Sequence, residues 1–337
     1  MRFISFFICL TLLGTTVTSY ASVDQASKTQ QQASSVKLYP FYQNDKIGYL
    51  DRVGNIIIKP QFDNSVGFFE NLAAVQIKAK YGFIDQSGKL VIQPQFDEVG
   101  QFREGLAVVK INQKYGFINQ IGKLVIPAKF DYAVSFSEGL AIVSNNEQWG
   151  YIDKSGKLVI AADYEHVESF LEGLAAVYVN GKYGFIDKNG KLIIPPRFDY
   201  AEGFSEGLSA VKIKGKSGFI DKTGKVVIPL KFGEGIKGFS QGLAVIQIDD
   251  KFGFINKKGE VVIQPQFAQT RGFAEGLAAV AIIGPKWSFI DTTGKLVFPL
   301  IFDDAGNFYN GLAGVAIGDR EGYIDSSGKF VWSIQTQ

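Results

Sequence analysis

Three short apolar runs separated by turn residues recur along almost the entire chain. In residues 106–130 they read Leu-Ala-Val-Val-Lys-Ile-Asn, then Tyr-Gly-Phe-Ile-Asn, then Lys-Leu-Val-Ile-Pro-Ala-Lys-Phe. Runs of this length, rich in β-branched and aromatic residues, predict strands, and three in succession predict an antiparallel meander. The first two runs are joined by a tight hairpin at Asn112-Gln113, which in another copy becomes the explicit turn dipeptide Asn180-Gly181. The next turn is Asp-x-x-Gly, as in Asp153 to Gly156, where aspartate bonds the backbone ahead and glycine takes the left-handed site of a bulged hairpin. Adjacent apolar positions such as Leu124, Val125 and Ile126 predict a sheet buried on both faces.

The Gly-aromatic-Ile-Asp core of this unit begins at Gly48, Gly82, Gly116, Gly150, Gly184, Gly218 and Gly253, then at Ser288 and Gly322. The spacing is 34 residues, with two steps of 35, so nine copies of one unit make up residues 36–333. A proline follows the third run in seven copies, while copy four has Ala161-Ala162 there. The fold class expected is all-β: a tandem array of nine three-stranded antiparallel meanders stacked as an open twisted superhelix. A propeller-like ring is the alternative. The open form is preferred because a three-stranded unit of this size is shorter than the four-stranded blade of about 40 residues that propellers use.

Trp149-Gly150-Tyr151-Ile152-Asp153, followed by Gly156-Lys157-Leu158-Val159-Ile160 and by Phe170-Leu171-Glu172-Gly173-Leu174-Ala175, resembles the bacterial WG repeat. Only copy four keeps the Trp-Gly pair; Tyr81, Tyr115, Tyr183 and Phe252 fill the tryptophan site elsewhere, and Ile47, Ser217 and Glu321 depart from it. The resemblance implies a short all-β repeat in exported or envelope-associated bacterial proteins, with no defined chemistry attached.

Before the repeats come Arg2, an apolar run from Phe3 to Gly14 and the small-x-small triplet Ser19-Tyr20-Ala21, which together predict a secretory signal over residues 1–21. The run is shorter than the roughly 20 residues that span a bilayer, so no membrane insertion of the mature chain is expected, and the protein is expected in the periplasm or outside the cell. Residues 22–35 are polar and read as a flexible leader, and residues 334–337 as a tail. Cys9 lies within the signal, which leaves the mature chain without disulfides or thiol ligands.

Charge is nearly balanced at +2 with no basic run, which points away from nucleic acid. His166 is the one histidine and has no nucleophile marked beside it. Glu70, Glu104, Glu138, Glu172, Glu206 and Glu275 recur at one site of the repeat. A catalytic pair of carboxylates needs two unlike environments; one repeated environment predicts a turn cap or a partner for a neighbouring lysine. No catalytic residue, metal ligand or cofactor is therefore expected.

Function is expected in the polar residues that drift between copies, in the segments between Phe-Asp and Phe-x-Glu-Gly, read as loop tips on a common edge. The partner expected is a protein or glycan of the cell envelope. A polysaccharide held by rings such as Tyr132, Tyr200 and Tyr309 is the second reading, and a hydrolase of unknown type the third. Two places break the period: Gly233, Glu234, Gly235, Ile236, Lys237 and Gly238 carry one extra residue, as do residues 283–287. Gly233 to Lys237, with Lys286 and Trp287, are the candidate binding residues, Trp287 being the expected anchor.

Overall fold

The computed structural model describes residues 37–161, 164–284, 286–298 and 302–335. The expected signal and leader, residues 1–35, lie outside them, as does the inserted Pro285. No helix occurs among the described residues, and the strands form nine antiparallel sheets taken in chain order.

The third sheet shows how the sequence builds each one. Glu98–Val99 pairs with Leu106–Ile111, that strand pairs with Lys114–Asn119, and the latter pairs with Leu124–Phe130. Asn112 and Gln113, at φ 49° and 69°, form the hairpin tip at one end of the sheet, both in the left-handed region that a two-residue type I′ turn demands. At the other end lies the x-x-Gly turn, which in the fourth sheet carries its aspartate in the expected form: Asp153 Oδ1 accepts from the Ser155 and Lys157 N–H groups at 2.9 and 3.1 Å, and Gly156 lies at φ 82°. The bulge falls between Tyr151 and Ile152.

The three-stranded unit is corrected by the structure. Six of the nine sheets have four strands, because the segment after Phe-Asp, read as a loop tip, forms a two-residue strand along one edge. Asp131 and Val134 donate their N–H groups to Ser144 and Ile142 carbonyls at 2.9 and 3.0 Å, which extends the ladder beyond Tyr132-Ala133. With four strands the sheet is a propeller blade, and the fold is a nine-bladed β-propeller, not the open superhelix. The sequence unit is offset from the blade: each 34-residue period supplies the last two strands of one blade and the first two of the next.

Burial on both faces holds for the inner strands but not for the outermost. Leu106–Ile111 and Lys114–Asn119 are largely buried, whereas Leu124 and Val125 are exposed and only Ile126 is inside. Ile126 and its counterparts pack against the glycine of the following Asp-x-x-Gly turn. A β-carbon on Gly156 would lie 3.0 Å from Ile126 Cγ2, and Gly88 and Gly122 meet Ile58 and Ile92 in the same way. Phe117 and Phe136 meet edge to face at 5.0 Å, as do Phe83 and Phe102 at 4.8 Å, which continues the core from sheet to sheet.

The blades fall into two compact units. One comprises Gln30–Gly181 with Phe185–Leu192, and the other Lys182–Gly184 with Ile193–Gln337. The same contacts recur within each.

Candidate functional site

Each blade has two ends with different chemistry. One end carries the Glu-Gly turns, where Glu104 and Gly105 occupy φ 54° and 85° in a second two-residue hairpin. The Glu104 carboxylate reaches the next blade and accepts the Gly139 N–H at 3.0 Å, and Lys154 Nζ sits 3.1 Å from it. Glu138 repeats this with Gly173 at 2.9 Å and Lys188 at 3.1 Å, and Glu206 with Gly242 and Lys257 at 3.1 and 3.0 Å. Gln241 makes the same bond to Gly276 at 2.8 Å. The recurring glutamates, Glu70 and Glu275 included, thus cap the turn ahead, and Glu104, Glu138 and Glu206 also pair with lysine, the roles that one repeated environment predicted.

The opposite end carries the hairpin tips and the aspartates of Phe-Asp. Asp131 pairs with the Lys114 ammonium and accepts the Asn146 N–H at 2.8 Å. Lys114 and that N–H hold its carboxyl below the usual aspartate range. Asp63, Asp97, Asp199 and Asp303 have the same lysine partnership and the same downward shift. The framework residues at both ends are therefore engaged with neighbouring blades. The tips between them are exposed and differ: Lys78-Ala79, Asn112-Gln113, Asn146-Glu147, Asn180-Gly181, Lys214-Gly215 and Asp249-Asp250.

In the second unit the candidate residues flank one strand, Gln269–Ala274. Lys237 Nζ donates to the Thr270 carbonyl at 3.2 Å, and the Arg271 guanidinium lies 4.8 Å over the Trp287 ring. Trp287 is 8% exposed, packed with Phe302 and Phe289, so its indole is a core group where a surface anchor was expected. It fills the first aromatic site of its copy and packs on the following blade, as Tyr115 does on Tyr132 and Tyr183 on Tyr200. Lys286 pairs with Asp303. Ile236 is buried, Gly235 N–H bonds Gln247 Oε1 at 3.1 Å, and Glu234 stays exposed and pairs with Lys212 at 3.1 Å. The extra residue of copy six is folded inward by Ile236 and leaves Glu234 outside.

Glu202, which the sequence reading passed over, and the candidate Lys237 are deeply placed charges on adjacent copies. Burial pushes the Glu202 carboxyl up to about 7 even though Gly238 donates its N–H to it at 2.8 Å. Burial likewise lowers Lys237. Their signal was a charge two residues before the inward phenylalanine, where Val66 and Val134 stand in other copies.

In the first unit His166 Nε2 lies 2.9 Å from Glu168 Oε1, and that carboxylate raises its pKa. Tyr132 and Trp149 are half-buried, their rings 5.4 Å apart and edge to face, so Tyr132 is packed as well as accessible. Tyr200 packs similarly on Tyr183 at 6.1 Å, and Tyr309 is 45% exposed. No group of three or more histidine, cysteine or acidic residues is placed to hold a metal among the described residues.

No curated protein matches this chain. Among solved structures it is similar to "Crystal structure of the eukaryotic initiation factor", at TM-score 0.64 and 11% identity over 89% of this chain and 96% of that one. It is also similar to BamB from Moraxella catarrhalis, at TM-score 0.48 and 13% identity over 80% and 97%. The WD40 β-propeller domain of Doa1 matches at TM-score 0.35 and 14% identity over 74% and 94%. The first likeness, with the four-stranded blades, sets aside the open superhelix. The model of the WG containing repeat matches residues 47–81, 81–115, 115–149, 149–183, 183–216, 218–252, 252–282 and 287–320. Nine cores enclose eight periods, and with those eight matched the chain belongs to the WG containing repeat family.

Proposed function

We propose that this chain is an exported, non-enzymatic scaffold that binds a protein or another component of the cell envelope through its hairpin tips and varied edge positions. One observation carries the reading: the repeated glutamates, aspartates and lysines bond neighbouring blades, while the tips are exposed and differ from copy to copy. A surface that is free to vary on a framework that is not is the arrangement of a recognition surface. Export rests on the apolar segment Phe3 to Gly14 and the small-residue triplet after it. The non-enzymatic reading is supported by carboxylates that each bond a backbone N–H and by a histidine whose Nε2 is engaged with Glu168.

The test replaces Asn112-Gln113 and Asn146-Glu147 by Asn-Gly, which keeps the turn type. Retention of envelope components should fall while the melting temperature holds. Retention that survives replacement of all the tips would remove the proposal. A glycan as the envelope component is favoured by a row of rings in copies three to five.

A further inference from the structure

Copy four differs from most others at three places that the structure brings together: Trp149 at the first aromatic site, Ala161 in the proline region, and His166 at the start of the short edge strand. The rings of Tyr115, Tyr132, Trp149 and His166 follow one another at centroid distances of 6.1, 5.4 and 5.9 Å, each edge to face. Tyr115 is buried, its hydroxyl donating to Glu98 at 2.7 Å, and the remaining three rings are part exposed. Trp149 packs against the core on one side and borders a cleft on the other.

That cleft has a volume of about 380 Å³, walled by Trp149, Leu158 and Ala161 and rimmed by Lys129, Asn145 and Gln148. It opens where copy four breaks its own pattern. In copy three Gly116 is skipped by the outer strand, and a β-carbon there would strike the Ala128 backbone at 2.7 Å. In copy four Gly150 pairs directly with Ala161, and the side chain of Leu158 comes against it instead. The whole site lies within the first compact unit.

The composition is specific about what could enter. A volume near 380 Å³ with one aromatic wall and a few polar groups is the size and character of a small-ligand site. The rim supplies two carboxamides, each able to donate and accept, which matches hydroxyl groups that do both. A pyranose ring offers such hydroxyls around its edge and an apolar face of C–H groups that fits a flat indole. A fixed aromatic side chain loses little entropy on contact, which suits the weak individual contacts of a sugar.

We propose that the Trp149 cleft binds a glycan chain, one pyranose ring lying on the indole with its hydroxyls on Asn145 and Gln148, and the next sugars following the rings of Tyr132 or His166. This rests on the scaffold reading above and names the component for one of its surfaces. The test is calorimetric titration of the full chain with cellohexaose, chitohexaose and a hexamer of β-linked uronate. At least one should bind, and Trp149→Ala should weaken it by roughly tenfold or more, the loss expected of a central aromatic anchor. Trp149→Tyr should recover part of the affinity. Gln148→Ala, an exposed change that leaves the fold in place, should weaken the same sugar several-fold at unchanged melting temperature. Absence of binding by all three hexasaccharides at about 1 mM, or binding indifferent to both Trp149→Ala and Gln148→Ala, overturns the glycan site. If the sugars fail while the tip replacements still abolish envelope capture, the glycan site falls and the scaffold reading stands. Sugar binding that depends on Trp149 while the tips prove dispensable supports the glycan site and removes the tip-borne reading.

Discussion

Glu104 and Gly156 both sit at positive φ, and they do so for different reasons. Glycine at 156 answers two demands at once, a left-handed backbone and the close approach of Ile126, 3.0 Å from where a β-carbon would stand. Gly139, at φ 89°, answers only the first, since nothing lies within 4 Å of its missing β-carbon. Comparison of Gly156→Ala with Gly139→Ala separates the two. Both should destabilise by about 1 kcal/mol from backbone strain, and Gly156→Ala should lose a further 1–3 kcal/mol or so from overpacking. Equal losses in denaturant titrations would show that Ile126 yields without cost. The left-handed glycines were legible from the Asp-x-x-Gly pattern, but a glutamate at φ 54° was not, because glutamate carries no turn preference of its own. Its conformation is set by the type I′ hairpin that Gly105 closes.

Strands and turns were legible where an apolar run or a turn dipeptide marked them, and the edge strand was missed for want of both. Tyr132-Ala133 spans two residues, too short to show alternation, and it exists because the backbone of its neighbour is already fixed. The missed strand turned three-stranded meanders into blades and an open array into a propeller. Trp287 was misplaced for a related reason: its copy contains an inserted proline region, which read as an open loop, yet Lys286–Asp291 is a regular strand and the indole points to the core. The candidate cleft at Trp149 had one legible sign, the alanine pair in the proline region, whose meaning depends on register. At this scale the link between blades is tested at Glu104. Glu104→Ala removes the acceptor for Gly139 N–H and the partner of Lys154, and should cost roughly 1–2 kcal/mol. Glu104→Gln should restore most of it, since Gln241 makes the same bond to Gly276. A glutamine variant as weak as the alanine one would assign the stabilisation to the Lys154 pair.

Across the whole molecule the acidic groups pull stability in opposite directions with pH. Asp63, Asp97, Asp131, Asp199 and Asp303 sit below their ordinary value of 3.8, chiefly through lysine hydrogen bonds. Their contribution is present above that value and is lost as pH falls through their folded pKa values. Glu202 runs the other way, raised from 4.5 to about 7, so its contribution is full below 4.5 and is lost as pH rises toward 7. Melting temperature should therefore fall steeply as the solution is acidified below about pH 4. Glu202→Gln, which keeps an acceptor for Gly238, should gain on the parent between pH 5 and 8, on the order of 2–3 kcal/mol at most. A constant difference across that range would mean that Glu202 is solvated in the folded state.

The reach of each Glu-Gly turn into the next copy has a consequence for heredity. Each of these carboxylate acceptors meets its N–H donor 35 or 36 residues ahead, and each Lys-Asp pair closes at 17. A coding segment lost or gained as one whole period brings an equivalent partner to each broken contact: joining Lys114 to Trp149, for instance, leaves a lysine before an aromatic, as in Lys80-Tyr81 and Lys182-Tyr183. A loss of any other length strands a glutamate without its glycine. Recombination between near-identical copies produces whole-period changes by its own mechanics, so the contacts that hold adjacent blades together also mark which copying errors the protein can survive.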